Sequence, residues 1–181
     1  MTSFIPKIGG LFSACLLLSA LAPTVAWAQH RRDPLNPLEI DELRDTALDA
    51  EKRLRLYIKF ARERLSALEQ MRADPKTKNR AQQTRERLQD FLDVYDELND
   101  NIDNFADRKD DLRKPLKAVV EADTEFQAKL RALKTSADAD KAEVEQYHVL
   151  LLNVLDTLDS SVQDHRQLLT EQEKAPPRKK N

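Results

Sequence analysis

From Gln29 to Asn181 the chain has no glycine, no cysteine and no tryptophan; Gly9, Gly10, Cys15 and Trp27 all precede it. Glycine is what tight β-hairpins and phosphate-cradling loops use where the backbone must reach positive φ. Without cysteine no disulfide can staple a small fold, so stability rests on packing. Long helices remain, because helical hairpins can turn without a left-handed residue. Composition agrees. Charged residues make up 34% of the chain, against about 25% in average globular proteins. That density needs the solvated surface of elongated helices.

Apolar residues recur at steps of three and four, which keeps one stripe on one side of a helix. The first seam is Ile40, Leu43, Ala47, Ala50, Leu54, Tyr57 and Ala61. Asn36, Pro37 and Glu39 form a capping-box start, and Leu35 and Ile40 are placed to staple it. The first helix is expected over 37–73. Asp74-Pro75 repeats the cap-plus-proline pattern and is expected to open the second helix. Its seam is Ala81, Thr84, Leu88, Phe91, Tyr95, Leu98, Ile102 and Phe105.

The next boundary has two readings. The same rhythm continues through Leu112, Leu116, Val119, Asp123, Phe126, Leu130 and Leu133. Either a turn near 108–114 separates two helices, or one long helix kinks at Pro115. An interior proline costs about 3 kcal/mol, which favours the turn and a third helix near 116–135, shorter than the others. Asp140 and Glu143 offer a capping box for the last helix. Its seam is Val144, His148, Leu151, Leu155, Leu158, Val162, His165 and Leu169, and Val149-Leu150-Leu151-Leu152 widens it. No strand pattern occurs. The expected fold is an all-α, elongated, antiparallel four-helix bundle with coiled-coil-like packing. The alternative is three long helices with a kink at Pro115.

Residues 1–28 read as a secretory signal peptide. Lys7 is followed by an apolar stretch from Ile8 to Ala22, Pro23, and Ala26-Trp27-Ala28 ahead of a cleavage site. Residues 29–36 then read as a linker, 37–173 as the bundle and 174–181 as a disordered basic tail. A periplasmic or secreted location follows, with cleavage after Ala28.

Candidate chemistry is sparse. Glu145-Gln146-Tyr147-His148 has the Glu-x-x-His spacing that di-iron bundles place on one helix face. A second copy is lacking: the three histidines are His30, His148 and His165. A buried neutral imidazole at His148 or His165 would loosen the bundle on charging. Asp90, Asp93, Asp96, Glu97, Asp100, Asp103 and Asp107 fall opposite the apolar seam as a solvated face. Lys52, Arg53, Arg55, Lys59, Arg62 and Arg64 would lie beside residues 85–97 in a hairpin and help choose that partner. Ser66, Ser136, Ser160 and Ser161 sit in no glycine-shaped nucleophile turn. No catalytic residue, metal ligand or cofactor is expected.

Thirty bases against 32 acids argue against nucleic acid, whose binders show a net basic face. The expectation is an exported, non-enzymatic bundle acting through protein contacts, as adaptor, scaffold or chaperone-like factor. Its protein partner is not specified by the sequence, and self-association stays open. One alternative is an envelope-surface binder using Arg178, Lys179 and Lys180. A helical metal-binding protein is the other.

Overall fold

The computed structural model describes residues 33–137 and 141–175. The expected signal peptide, the cap at Asp140 and the basic side chains 178–180 lie outside the described residues. Among the described residues six helices follow one another: α1 (Pro37–Arg44), α2 (Ala50–Ala73), α3 (Arg80–Asp107), α4 (Arg113–Ala137), α5 (Lys141–Glu145) and α6 (His148–Lys174). No strand occurs among the described residues. α2, α3, α4 and α6, of 24, 28, 25 and 27 residues, form a four-helix bundle.

The capping box forms as read: the Asn36 side chain accepts from the Glu39 amide, and the Glu39 carboxylate accepts from the Asn36 amide. The helix then stops after only two turns. Asp49 caps a new helix by accepting from the Lys52 amide, the Thr46 hydroxyl donates to the Leu43 carbonyl, and Arg53 also reaches that carbonyl. The single helix expected over 37–73 is therefore two, with α1 folded back against α2. The staple does not form as read, because Ile40 is exposed. Glu39 is buried instead. Arg64 donates to both of its oxygens at 2.7 Å. Burial acts to raise the Glu39 carboxyl, but these bonds and the Asn36 amide outweigh it and hold the carboxyl below its ordinary value.

Asp74-Pro75 does not open a helix either. Asp74 is the C-cap of α2, and its side chain accepts from the Lys76 amide within the turn. α3 starts at Arg80, behind Asn79 at φ 50°. Its predicted seam is otherwise complete: all eight residues, from Ala81 to Phe105, are buried.

A turn over 108–112, not a kink, separates α3 from α4, so the three-helix alternative does not hold. Pro115 sits in the first turn of α4, where its missing amide hydrogen costs nothing. α4 begins earlier than expected and is slightly longer than α2. The turn closes as a Schellman motif, with the Asp110 amide donating to the Phe105 carbonyl and the Lys109 amide to the Ala106 carbonyl. Lys109 occupies the left-handed position, at φ 60°. The absence of glycine thus did not remove the need for left-handed residues. Asn79 and Lys109 fill those positions.

This turn also carries the chain across the bundle. α2 packs on α3 and α4, and α6 packs on α4 and α3, while α3 and α4 face each other along a diagonal. Ion pairs fix the directions: Lys114–Glu51, Arg62–Glu125 and Lys129–Glu69 run in the same order along α2 and α4. Those neighbours are parallel. α2 with α3 and α4 with α6 are antiparallel, as Arg72–Thr84 and Gln127–Asp159 require alongside Arg53–Asn101 and Lys117–Glu173. Direction alternates along the chain as read, but consecutive α3 and α4 are not neighbours. Lys59 and Arg64 of α2 pair with Glu42 and Glu39 of α1 and Arg62 with Glu125 of α4, while Arg64 also feels the charge of Asp90 on α3.

A non-glycine residue in the left-handed region costs about 1 kcal/mol or more. Lys109→Gly should therefore raise stability by about 1 kcal/mol, read as a higher denaturant midpoint with unchanged slope. An unchanged or lowered midpoint would show that Lys109 is not strained.

Candidate functional site

Across the diagonal, α3 and α4 meet through side chains. Phe91 stacks on Tyr95 with ring centroids 5.7 Å apart, and both stand edge-on to Phe126 of α4, at 5.5 and 6.4 Å. Such pairs contribute about 0.5–1.5 kcal/mol each beyond their buried area. Directly beside them lies a polar cluster. The Tyr95 hydroxyl donates to Asp123 Oδ1 at 2.9 Å, and His165 Nδ1 meets Asp123 Oδ2 at 2.9 Å. Tyr95 and Asp123 have no solvent exposure and His165 has 4%. Three helices are thus joined through one carboxylate.

Each member sits at a seam position, which explains its burial. Asp123 takes the place in the α4 stripe where an aliphatic residue would stand, between Val119 and Phe126. A carboxylate accepts hydrogen bonds, so the imidazole presents a proton on Nδ1 to Asp123, and Nε2 is the ring nitrogen on the opposite side. Burial, with the Asp123 charge adding to it, pushes the Tyr95 phenol well above its ordinary value. It therefore stays a donor. The cluster extends outward through Ser161, which stands beside Tyr95 and accepts from Asn99 Nδ2 at 3.1 Å. Among the described residues no hydrogen bond joins Ser161 to His165, so the Ser, His and Asp present do not form a nucleophilic relay.

His165 and Asp123 were legible as seam positions, but their contact was not. It spans 42 residues of sequence. The seam reading treated His165 as a lone imidazole whose charging would loosen the bundle. With Asp123 against it, a charged ring keeps a carboxylate partner instead of facing an apolar core. His148 is exposed, because Tyr147 occupies the buried position next to it. Glu145 ends α5 and His148 begins α6, so the Glu-x-x-His spacing crosses a helix break and gathers no ligand pair. Among the described residues no group of three or more His, Cys, Asp or Glu side chains is placed to hold a metal ion. The run Val149–Leu152 widens the core only through Leu150, which packs against it half-buried, since Val149 is 79% exposed and Leu152 39%. Within the acidic stretch, Asp100, Asp103 and Asp107 are exposed, and Asp93 accepts from Gln89.

At the other end of the bundle, Arg72 binds Glu143 and the Thr84 hydroxyl, both at under 3 Å, and lies over the Tyr147 ring. This ties α5 to the α2–α3 hairpin. No described helix is long and apolar enough to cross a membrane. Comparison with protein-family models, curated proteins and solved structures finds no match to this chain.

Removing one partner from a buried charged cluster costs about 3–5 kcal/mol. Asp123→Ala should fall in that range. Tyr95→Phe, which removes one donor and leaves the other, should cost about 1.5–3 kcal/mol. Chemical denaturation measures both; an Asp123→Ala variant within 1 kcal/mol of wild type would show the cluster to be dispensable.

Proposed function

We propose that this chain is an exported helical-bundle protein that works through protein–protein contacts, as an adaptor, scaffold or chaperone-like factor, and that it is not an enzyme. The observation that carries the reading is a set of large apolar side chains left outside a well-filled core. Leu38 is 74% exposed, Leu48 85% and Val149 79%, while the large apolar residues of the bundle seam are exposed by a few per cent. Singly exposed apolar residues are common. Here Leu38 and Ile40 lie on α1 and Leu48 just after it, and Val149 and Leu152, three residues apart, share one face at the start of α6. Aliphatic side chains grouped in this way are what a partner helix or chain covers.

Export is supported by the charge, apolar run and small-residue pattern of residues 1–28. The Asn36 cap then opens the described bundle eight residues beyond the proposed cleavage point. The polar clusters described above are used to hold helices together, which supports a contact role over a catalytic one.

The test places a photo-reactive amino acid at position 48, 149 or 82 of the chain expressed in a double-membrane bacterium, followed by recovery from the periplasmic fraction. The expected result is a mature N-terminus at Gln29 and one discrete protein adduct from positions 48 and 149, absent from the exposed polar control at Gln82. An N-terminus at Met1 would overturn export. Equal adducts from all three positions, or none, would overturn the contact reading.

A further inference from the structure

The turn between α1 and α2 interrupts a pattern that the sequence itself carries through. Glu39, Leu43, Thr46, Ala50, Arg53, Tyr57, Phe60 and Arg64 follow one another at steps of four and three without a break. In the folded chain Glu39, Leu43, Thr46, Tyr57 and Phe60 are buried, and Ala50, Arg53 and Arg64 are half-buried. Tyr57 and Phe60 meet edge-on, and Arg53 lies over the Tyr57 ring. The turn, Asp45-Thr46-Ala47-Leu48-Asp49, contains neither glycine nor proline, so its residues can all adopt helical geometry. As one helix, residues 39–64 would carry this stripe along one side for about 38 Å.

The stripe is complementary to itself. Its positions are symmetric about the point between Glu51 and Lys52. Turned end for end, Glu39 falls on Arg64, Leu43 on Phe60, Thr46 on Tyr57 and Ala50 on Arg53. Acid meets base at both ends, aliphatic meets aromatic inside them, and the small Ala50 leaves room for a guanidinium near the centre. α1 already uses part of this match, lying antiparallel along α2 with Glu39 on Arg64 and Glu42 on Lys59. Ala50 and Arg53 stand three apart on one helix and cannot oppose each other within a single chain. The attachment of α1 is also slight. Among the described helices it packs on α2 alone, and the residues it buries are Glu39 and Leu43.

We propose that α1 opens about residues 45–49 and exchanges with the α1 of a second copy of this chain. Residues 37–73 of each copy then form one helix, and the two helices pair antiparallel along the stripe, about a two-fold axis beside Glu51 and Lys52. Each pairing occurs twice, as an isologous interface requires. The Glu39–Arg64 and Glu42–Lys59 pairs that attach α1 in the monomer re-form between copies, and Ala50 gains Arg53 of the second copy. A continuous three-four stripe is what antiparallel helices use to pack as a coiled coil. Five residues per chain exchange a turn for helical hydrogen bonds. The opposing losses are the Asp49 cap, the Thr46 hydroxyl bond to the Leu43 carbonyl and the Arg108 bond to the Ala47 carbonyl. Exchange of an identical element is a low-cost route to a dimer. The stripe includes none of the exposed apolar side chains on which the contact reading rests, so either can fail without the other.

The test uses two full chains in a Cys15→Ser background, which has no other thiol, one carrying Glu42→Cys and the other Lys59→Cys. Both positions are exposed. After incubation together at near-millimolar concentration, a short bismaleimide should give a covalent dimer from the mixture and not from either chain alone. In the exchanged dimer position 42 of one copy lies beside position 59 of the other, whereas like positions of the two copies stand about 20–30 Å apart. Asp49→Ala removes the cap that holds the turn and favours helix across it. It should therefore lower the dimer dissociation constant about tenfold, read by light scattering. A mixture that yields no covalent dimer, a dimer formed as readily by one chain type alone, or a dissociation constant left unmoved or raised by Asp49→Ala would overturn the exchange.

Discussion

A single carboxylate in the bundle interior decides how the helices are seated. Asp123 has no contact with water and must be satisfied from within. Tyr95 and His165 supply the donors, from two different helices, and their geometry leaves little freedom. Apolar seams alone would allow helices to rotate or slide past one another, because Leu, Val and Phe pack acceptably in several registers. A buried carboxylate with two fixed donors accepts only one. This places α3 and α4 on a diagonal, brings α6 beside both, and leaves α2 to close the fourth side. The aromatic group of Phe91, Tyr95 and Phe126 fills the diagonal next to the cluster, so the polar and apolar constraints select the same arrangement.

The lattice of surface ion pairs follows that arrangement and does not determine it. Lys114–Glu51, Arg62–Glu125 and Arg131–Asp159 lie on exposed faces, where such pairs contribute at most about 1 kcal/mol each. Glu39–Arg64 differs, because both side chains are largely buried beneath α1. It attaches a short helix that could not stand alone at eight residues. The fold therefore relies on two buried acidic groups, Asp123 in the centre and Glu39 at the margin, each held by more than one donor.

Much of this was legible in the sequence where helical periodicity is strong. The α3 seam was readable residue by residue, and the Asn36 capping box and the turn before Pro115 followed from local chemistry. The errors also have local causes. Asp49 resembles an ordinary helical acid until its side chain turns back to cap α2, so the break after α1 leaves no mark in the apolar spacing. Asp74-Pro75 serves equally well as helix end or helix start, and only packing distinguishes them. A one-residue choice between Tyr147 and His148 decided whether a histidine lay inside or outside. The cluster at Asp123 was invisible for a different reason: its parts are 28 and 42 residues apart, and only the diagonal crossing of the chain brings them together.

The seating role of the cluster can be separated from its contribution to stability. Replacing a buried polar group by apolar residues of similar size is often neutral or stabilising, while the loss concerns uniqueness of structure. The direct measurement joins cysteines at positions 62 and 125 with a short bismaleimide, in a chain whose bundle has no other thiol. It compares the otherwise native protein with Tyr95→Phe, Asp123→Leu, His165→Leu. The native background should link in high yield, because these positions face each other on parallel α2 and α4. The triple variant should keep its helix content and lose most of the link as the helices take more than one seating. A triple variant that links as efficiently as the native background would contradict the account.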